Sequence, residues 1–116
     1  MFRSYDDVML EPQYSEVRSR KNILIAPRFD VGIPSCKTVL FMQTPIISSP
    51  MDTVTGWQMA LAMYMFGGLG VLHRYNTIHE QVEMVHRLQD VCGGDMDVIA
   101  AAVGVTGDYL ERAKAL

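Results

Sequence analysis

Cysteine is almost missing from this chain: Cys36 and Cys92 stand far apart, and neither has partners at metal-ligand spacing, so a zinc site and a disulfide framework are both unsupported. Reduced thiols in a cytoplasmic setting are the expectation. Positive charge is not in excess either, with 10 Lys and Arg against 13 Asp and Glu. A net charge of -3 gives no electrostatic reason to expect nucleic acid or an anionic membrane surface as partner. The few basic clusters, such as Arg18, Arg20 and Lys21, read as solvated loop rather than binding patch. No apolar run approaches the about 20 residues a membrane helix needs, and Met-Phe-Arg-Ser-Tyr-Asp-Asp does not resemble a signal peptide. What is present is a globular balance, 49% hydrophobic and 20% charged, in 116 residues, enough for one small core.

The first 44 residues carry no helical period. Three short apolar runs, Val8-Met9-Leu10, Ile23-Leu24-Ile25 and Val39-Leu40-Phe41-Met42, are punctuated by Pro12, Pro27 and Pro34, which predicts an arm of short strands and turns packed on a larger body. Regular structure begins at Pro45. Pro45 to Ser48 reads as a short buried strand, with proline where a missing amide is tolerated. Thr55-Gly56-Trp57-Gln58 fits a capping box opening a helix over about Gly56 to Phe66. That helix is apolar nearly all round and so requires cover on more than one side. Gly67-Gly68 supplies its stop.

Leu69 to Leu72 is a second buried strand. Thr77-Ile78-His79-Glu80 forms another capping box, and Ile78, Val82, Val85, Leu88 and Cys92 then mark one face of an amphipathic helix ended by Gly93-Gly94. Val98 to Gly104 is a third strand, apolar on both faces as a covered parallel strand should be. Thr106, Gly107 and Asp108 open a third helix carrying Tyr109, Leu110, Ala113 and Leu116. Three consecutive β/α units fit either a small open doubly wound sheet, favoured by length, or part of a (β/α)8 barrel of roughly 250 residues. The last helix has no stop signal, which favours the barrel.

The motifs go further. Tyr5-Asp6-Asp7-Val8-Met9-Leu10 followed by Pro12, then Ser48-Ser49-Pro50-Met51-Asp52-Thr53-Val54-Thr55, then Gly67-Gly68-Leu69-Gly70-Val71-Leu72-His73-Arg74, resemble the inosine-monophosphate dehydrogenase and guanosine-monophosphate reductase family, in order and at matching distances. The resemblance covers essentially the whole chain and implies an α/β fold: the first three β/α units of a (β/α)8 TIM barrel over 45–116, preceded by an N-terminal arm over 1–44. Pro50, where reductases tend to carry Asn, and the Thr77 to Val82 segment look more like the dehydrogenase side. His73-Arg74-Tyr75, Val103-Gly104-Val105 and Asp108-Tyr109 also occur in reductase-like sequences. Only Gly93 to Asp97 occupies the junction where dehydrogenases commonly insert paired regulatory CBS-type modules, so those modules are expected to be absent.

The resemblance implies an N-terminal part of a purine-nucleotide oxidoreductase, dehydrogenase-like (IMP to XMP with NAD), with GMP reductase (GMP to IMP with NADPH) as the alternative. It also implies a homotetramer in full-length form and a monovalent cation whose site is not in this segment. In that family a cysteine thiolate attacks C2 of the purine and a hydride moves to or from NAD or NADP. Its cysteine lies in a Gly-Ser-x-Cys loop; Cys36 and Cys92 do not, and both read as structural. No catalytic residue is therefore expected here, the nucleophile is expected beyond Leu116, and the chain alone is expected to be inactive.

What the segment can supply is wall. By resemblance Ser49 and Met51 face the nucleotide, the alternatives being a turn serine and core packing. Asp52 and Thr53 read first as turn braces and second as ligand-orienting groups. His73 ends the second strand on the face where barrel sites form, and Arg74 either reaches a nucleotide or pairs with a neighbouring loop. Gly104 allows close approach of cofactor or backbone. His79 and His86 lack ligand spacing, and Asp95-x-Asp97 is too short for a calcium loop; no metal is expected. From another class of function, the chain could serve as a nonenzymatic nucleotide-binding or assembly module that pairs with a separate C-terminal half, or be a truncated frame with no function of its own. A partial barrel would leave an open strand edge, so self-association is expected.

Overall fold

The computed structural model describes residues 4–26, 28–30, 39–93 and 99–116. Two 3-10 turns, Tyr5–Asp7 and Arg20–Asn22, precede strands β1 (Arg28–Asp30) and β2 (Val39–Phe41). Then follow α1 (Trp57–Met65), β3 (Val71–Leu72), α2 (Ile78–Cys92), β4 (Ala100–Ala101) and α3 (Tyr109–Ala115).

The arm departs from its sequence reading. Val8–Leu10 and Ile23–Ile25 form no strand; every described side chain from Asp6 to Ile25 is exposed, Leu10 at 98%. Local bonds take the backbone instead: the Ser4 hydroxyl accepts from the Asp6 amide and the Ser19 hydroxyl from the Lys21 amide, each starting a 3-10 turn. Three apolar residues without a partner strand have no ladder to join. The third run does pair, β2 running antiparallel to β1 with Arg28 opposite Phe41 and Asp30 opposite Val39. Cys36, Pro34 and Val98 lie outside the described residues.

The regular part is a set of parallel neighbours joined by helices. Ile47 bridges Leu69 in parallel, through the Leu69 amide on the Ile46 carbonyl at 3.0 Å and the Ser48 amide on the Leu69 carbonyl at 2.9 Å. β3 pairs in parallel with β4, Val71 with Ala100 and Leu72 with Ala101, and the Ala102 amide continues the ladder to the Leu72 carbonyl at 2.9 Å. Parallel neighbours need a crossover, and α1 and α2 are those crossovers. Within the described residues 99–104 the ladder takes in Ala100 to Ala102, shorter than the apolar run suggests. Among the described residues no strand pairs with the outer edge of β4.

α1 ends as its glycines foretell. Gly67 takes φ 74°, the Gly68 amide reaches back to the Met63 carbonyl at 2.8 Å and the Gly67 amide to the Tyr64 carbonyl at 2.9 Å, a Schellman stop. Its start differs from expectation. The cap is Gly56, with no side-chain bond, because the Thr55 hydroxyl is engaged in the preceding turn. α2 begins as expected: the Thr77 hydroxyl accepts from the Glu80 amide, and the Glu80 carboxylate accepts from the Thr77 amide at 2.8 Å. Gly93 ends α2 at φ 71°.

The core is Ala60, Leu72, Val85 and Leu88, packed by Trp57, Leu61, Met84, Ile99, Ala101 and Leu116. Helix α1 lies so close to the chain entering β3 that a Cβ on Gly70 would stand 2.3 Å from the Ala60 Cα. Met59, Tyr64 and Met65 of α1, spread round the helix, and Phe66 just past its end are exposed, Phe66 at 82%, so within the described residues this helix is buried only at Ala60 and lacks the cover on more than one side that its composition requires.

Two measurements check these statements. Gly70→Ala forces helix and strand apart and should cost roughly 3 kcal/mol by urea unfolding followed through Trp57, against ~1 kcal/mol for Thr77→Ala, which removes a cap. The Thr77 backbone amide, and then the Thr77 hydroxyl, hold the Glu80 pKa below its ordinary 4.5. The box therefore contributes stability above that pH and loses it as pH falls through the lowered value. Helical circular dichroism should decline more on acidification below about pH 4.5 in the parent than in Glu80→Gln.

Candidate functional site

The site is built on the turn between Ile47 and α1. The Met51 amide donates to the Ser49 carbonyl at 2.9 Å, and the Val54 and Thr55 amides both donate to the Met51 carbonyl, at 3.0 and 2.9 Å. The Asp52 carboxylate accepts from the Thr53 amide at 2.9 Å, a local brace. These bonds leave the Ser49 side chain exposed and Met51 48% exposed at the crest of the turn.

A chain of hydroxyls fixes that crest to the sheet. Thr55 is wholly buried, and a buried hydroxyl needs partners. Its oxygen lies 2.6 Å from the Ser49 carbonyl and 2.9 Å from the Ser48 hydroxyl. A carbonyl only accepts, so the Thr55 proton goes to Ser49, and the Ser48 hydroxyl supplies the proton between the two side chains. Ser48 in turn accepts from the Val71 amide at 3.1 Å. One directed series thus runs from β3 through Ser48 and Thr55 to the turn backbone. The His73 amide, donating to the Thr55 carbonyl at 3.3 Å, closes the far end.

His73 is half-buried just past β3, and its Nδ1 accepts from the Tyr75 amide at 3.3 Å. In the neutral ring that bond leaves the proton on Nε2. Arg74 is exposed, its guanidinium 5.6 Å from the Tyr75 ring centroid, and its Nη1 lies 3.2 Å from where a Cβ on Gly104 would stand. The missing Cβ at Gly104 therefore makes room for Arg74 itself. Among the described residues Arg74 joins no ion pair.

The sequence-predicted residues thus form two groups: Ser49, Met51 and Asp52 on one turn with the His73 backbone joined to it through Thr55, and Arg74 over Gly104. Among the described residues no hydrogen bond or ion pair links the two groups. Cys92 is a half-buried free thiol on α2, remote in chain from both. Among the described residues no helix is long and apolar enough to cross a membrane, and no three His, Cys, Asp or Glu converge as metal ligands.

Sequence reasoning missed Ser48 and Thr55 as the residues that hold the turn. Gly56 next to Trp57 was the available signal, since glycine can itself be the cap and so free Thr55 for other bonds. It also missed a buried polar cluster behind the second group. Gln81, fully buried on α2, donates from Nε2 to the Ala102 carbonyl at 2.9 Å, and Arg112, 5% exposed on α3, donates to Gln81 Oε1 at 2.8 Å.

Thr55→Val keeps the shape and removes the hydroxyl, stranding the Ser48 proton and the Ser49 carbonyl. It should cost ~2 kcal/mol in urea unfolding, and Thr55→Ser clearly less. Equal costs for the two would sink the hydroxyl account.

Comparison with known proteins bears on what the turn faces. The family model of the IMP dehydrogenase / GMP reductase domain matches residues 3–116. The chain is 41% identical over 86 residues to a GMP reductase of Leishmania donovani, covering 74% of this chain and 16% of that protein. It is 37% identical over 91 residues to an inosine-5'-monophosphate dehydrogenase of Rhodopirellula baltica, covering 78% and 15% respectively. Identity to the inosine-5'-monophosphate dehydrogenase of Methanocaldococcus jannaschii is 37% over 105 residues, covering 90% and 19%. The matched part is less than a fifth of each of these relatives' length.

Proposed function

The chain belongs to the IMP dehydrogenase / GMP reductase family, and we propose that it forms the opening β/α units of a (β/α)8 barrel in a purine-nucleotide oxidoreductase, contributing binding wall and no nucleophile. In this reading residues 45–116 are barrel and 1–44 an arm, without CBS-type regulatory modules. The full enzyme is a cytoplasmic homotetramer, and a monovalent cation would bind outside this segment. The edge of β4 that no strand among the described residues pairs with, and the apolar groove of about 240 Å³ beside it, lined by Val85, Ile99, Ala101, Val103, Ala113 and Leu116, are what a barrel sheet would present to its next strand.

One arrangement carries the functional reading. Ser49 and Met51 crest a turn pinned by the Ser48 and Thr55 hydroxyls at the C-terminal end of one parallel strand, joined to His73 at the same end of its neighbour. Ligands of such sheets bind at that end. In the proposal the Ser49 hydroxyl bonds the nucleotide, the Met51 thioether lies against the purine, and Asp52 holds the turn. His73 Nε2 offers a proton to a ligand oxygen.

The dehydrogenase reading, IMP to XMP with NAD, rests on Pro50 before Met51. The reductase reading, GMP to IMP with NADPH, is the alternative, and relatives of both names match this chain at 36–41% identity. Either cofactor supplies the hydride acceptor or donor. Of the residues here the exposed Arg74 guanidinium suits an anionic part of a nucleotide or cofactor, whereas the space at Gly104 is already occupied by Arg74.

The test is a titration of the chain with IMP, GMP and CMP, following the Met51 methyl resonance. Saturable shifts with the purine nucleotides and none with CMP, together with no turnover of IMP with NAD or GMP with NADPH, are expected. Equal response to CMP, or no response at Met51, would overturn the purine reading, and turnover would overturn the assignment of wall without nucleophile. Joined to a downstream segment carrying a Gly-Ser-x-Cys loop, the chain should gain one of the two activities.

A further inference from the structure

The buried cluster around Arg112 has no place in that reading, and its connections are specific. Arg112 Nη1 donates to Gln81 Oε1 at 2.8 Å and to Asn76 Oδ1 at 3.4 Å; Nη2 donates to the Asn76 carbonyl at 2.9 Å and to Asp108 Oδ2 at 2.7 Å. Gln81 Nε2 then donates to the Ala102 carbonyl at 2.9 Å. Only one orientation of the Gln81 amide satisfies both neighbours, because the reverse would set its N–H against the guanidinium and its oxygen against a carbonyl.

A cluster of this kind is an inefficient way to gain stability. Desolvating a guanidinium costs several kcal/mol, and its carboxylate partner is half exposed, with Asp108 side-chain exposure of 47%. An apolar side chain of similar volume would fill the space between α2 and α3 without that penalty. What an apolar side chain would not do is hold two backbone carbonyls. Those carbonyls are informative: Asn76 lies two residues after Arg74, and Ala102 two residues before Gly104. The cluster therefore grips, from behind, the two loops whose front faces bring the Arg74 guanidinium over Gly104.

We infer that Arg112, acting through Gln81, is a positioning residue that clamps the loops following β3 and β4 to each other and so sets where the Arg74 guanidinium stands over Gly104. Its importance for ligand rests on the proposed nucleotide reading; the clamp itself does not. A lysine cannot substitute, since a single ammonium lacks the planar fork that reaches Gln81, Asn76 and Asp108 together.

Two variants of the 116-residue chain test this, read by the Gly104 amide and Arg74 Nε–H resonances with the Val71 and Leu72 amides as internal controls. Gln81→Glu keeps an acceptor for Arg112 and removes the donor to Ala102. It should displace and broaden Gly104 while leaving the control amides in place. Arg112→Lys should displace both Gly104 and Arg74, again with unmoved controls, and weaken the IMP response about tenfold, a coupling of about 1.4 kcal/mol. Unchanged Gly104 signals in Gln81→Glu, or a displacement spread evenly over the controls in both variants, would overturn the clamp. Should the parent not respond to IMP, the nucleotide reading falls, while the Gly104 signal in Gln81→Glu still decides the clamp: moved, it stands; unmoved, it is wrong.

Discussion

The close contact of α1 with the chain entering β3 is the constraint on which the rest depends. Gly70 meets the backbone of Ala60, and Gly68 sits where a Cβ would come within 2.8 Å of the Ile46 carbonyl. Two absent methyl groups let helix and strands approach to a distance that larger residues forbid. At that distance the Ser48 hydroxyl reaches the Val71 amide, and Thr55 reaches both Ser48 and the turn. Widen the contact by an ångström and those bonds pass out of hydrogen-bond range. The exposed crest of the turn is thus positioned by packing beneath it, although Ser49 and Met51 themselves touch little.

Much of this was legible because it is local. Gly67 and Gly93 stop helices at positive φ, and Thr77 with Glu80 closes a box, since each effect needs only neighbours in sequence. The parallel order of strands followed from apolar runs alternating with helical periods. The family followed from three motifs in register, confirmed by a match over residues 3–116. What was not legible required knowing a partner distant in the chain. Thr55 satisfies the local pattern of a cap, yet a carbonyl six residues back and a serine seven back compete for its hydroxyl and win, and only the fold reveals them.

Gln81 is the same lesson on a helix. The apolar stripe Ile78, Val82, Val85, Leu88 predicted which face turns inward, and Gln81 lies on that face as well, fully buried. Pattern reading passes over a polar residue on an apolar face unless its partner is visible, and Arg112 is separated from it by 31 positions. The arm failed for the opposite reason. Val8–Leu10 and Ile23–Ile25 have strand-like composition, but a strand exists only through pairing, and the paired segment proved to be Arg28–Asp30, which carries charge at both ends.

The two polar clusters differ in a way that matters for a ligand. The turn is held by neutral hydroxyls, which bring no charge to the crest. Behind the other loops the buried guanidinium of Arg112 is compensated by Asp108 and by three further oxygens, so its field is largely spent internally. Arg74 is left as a cation in front, exposed and backed by the Tyr75 ring, with no ion pair among the described residues. Because it is exposed and joins no ion pair among the described residues, it need not break an ion pair to meet an anion. Compensated charge behind the loops fixes their positions, and uncompensated charge in front is what such a face can offer a phosphate.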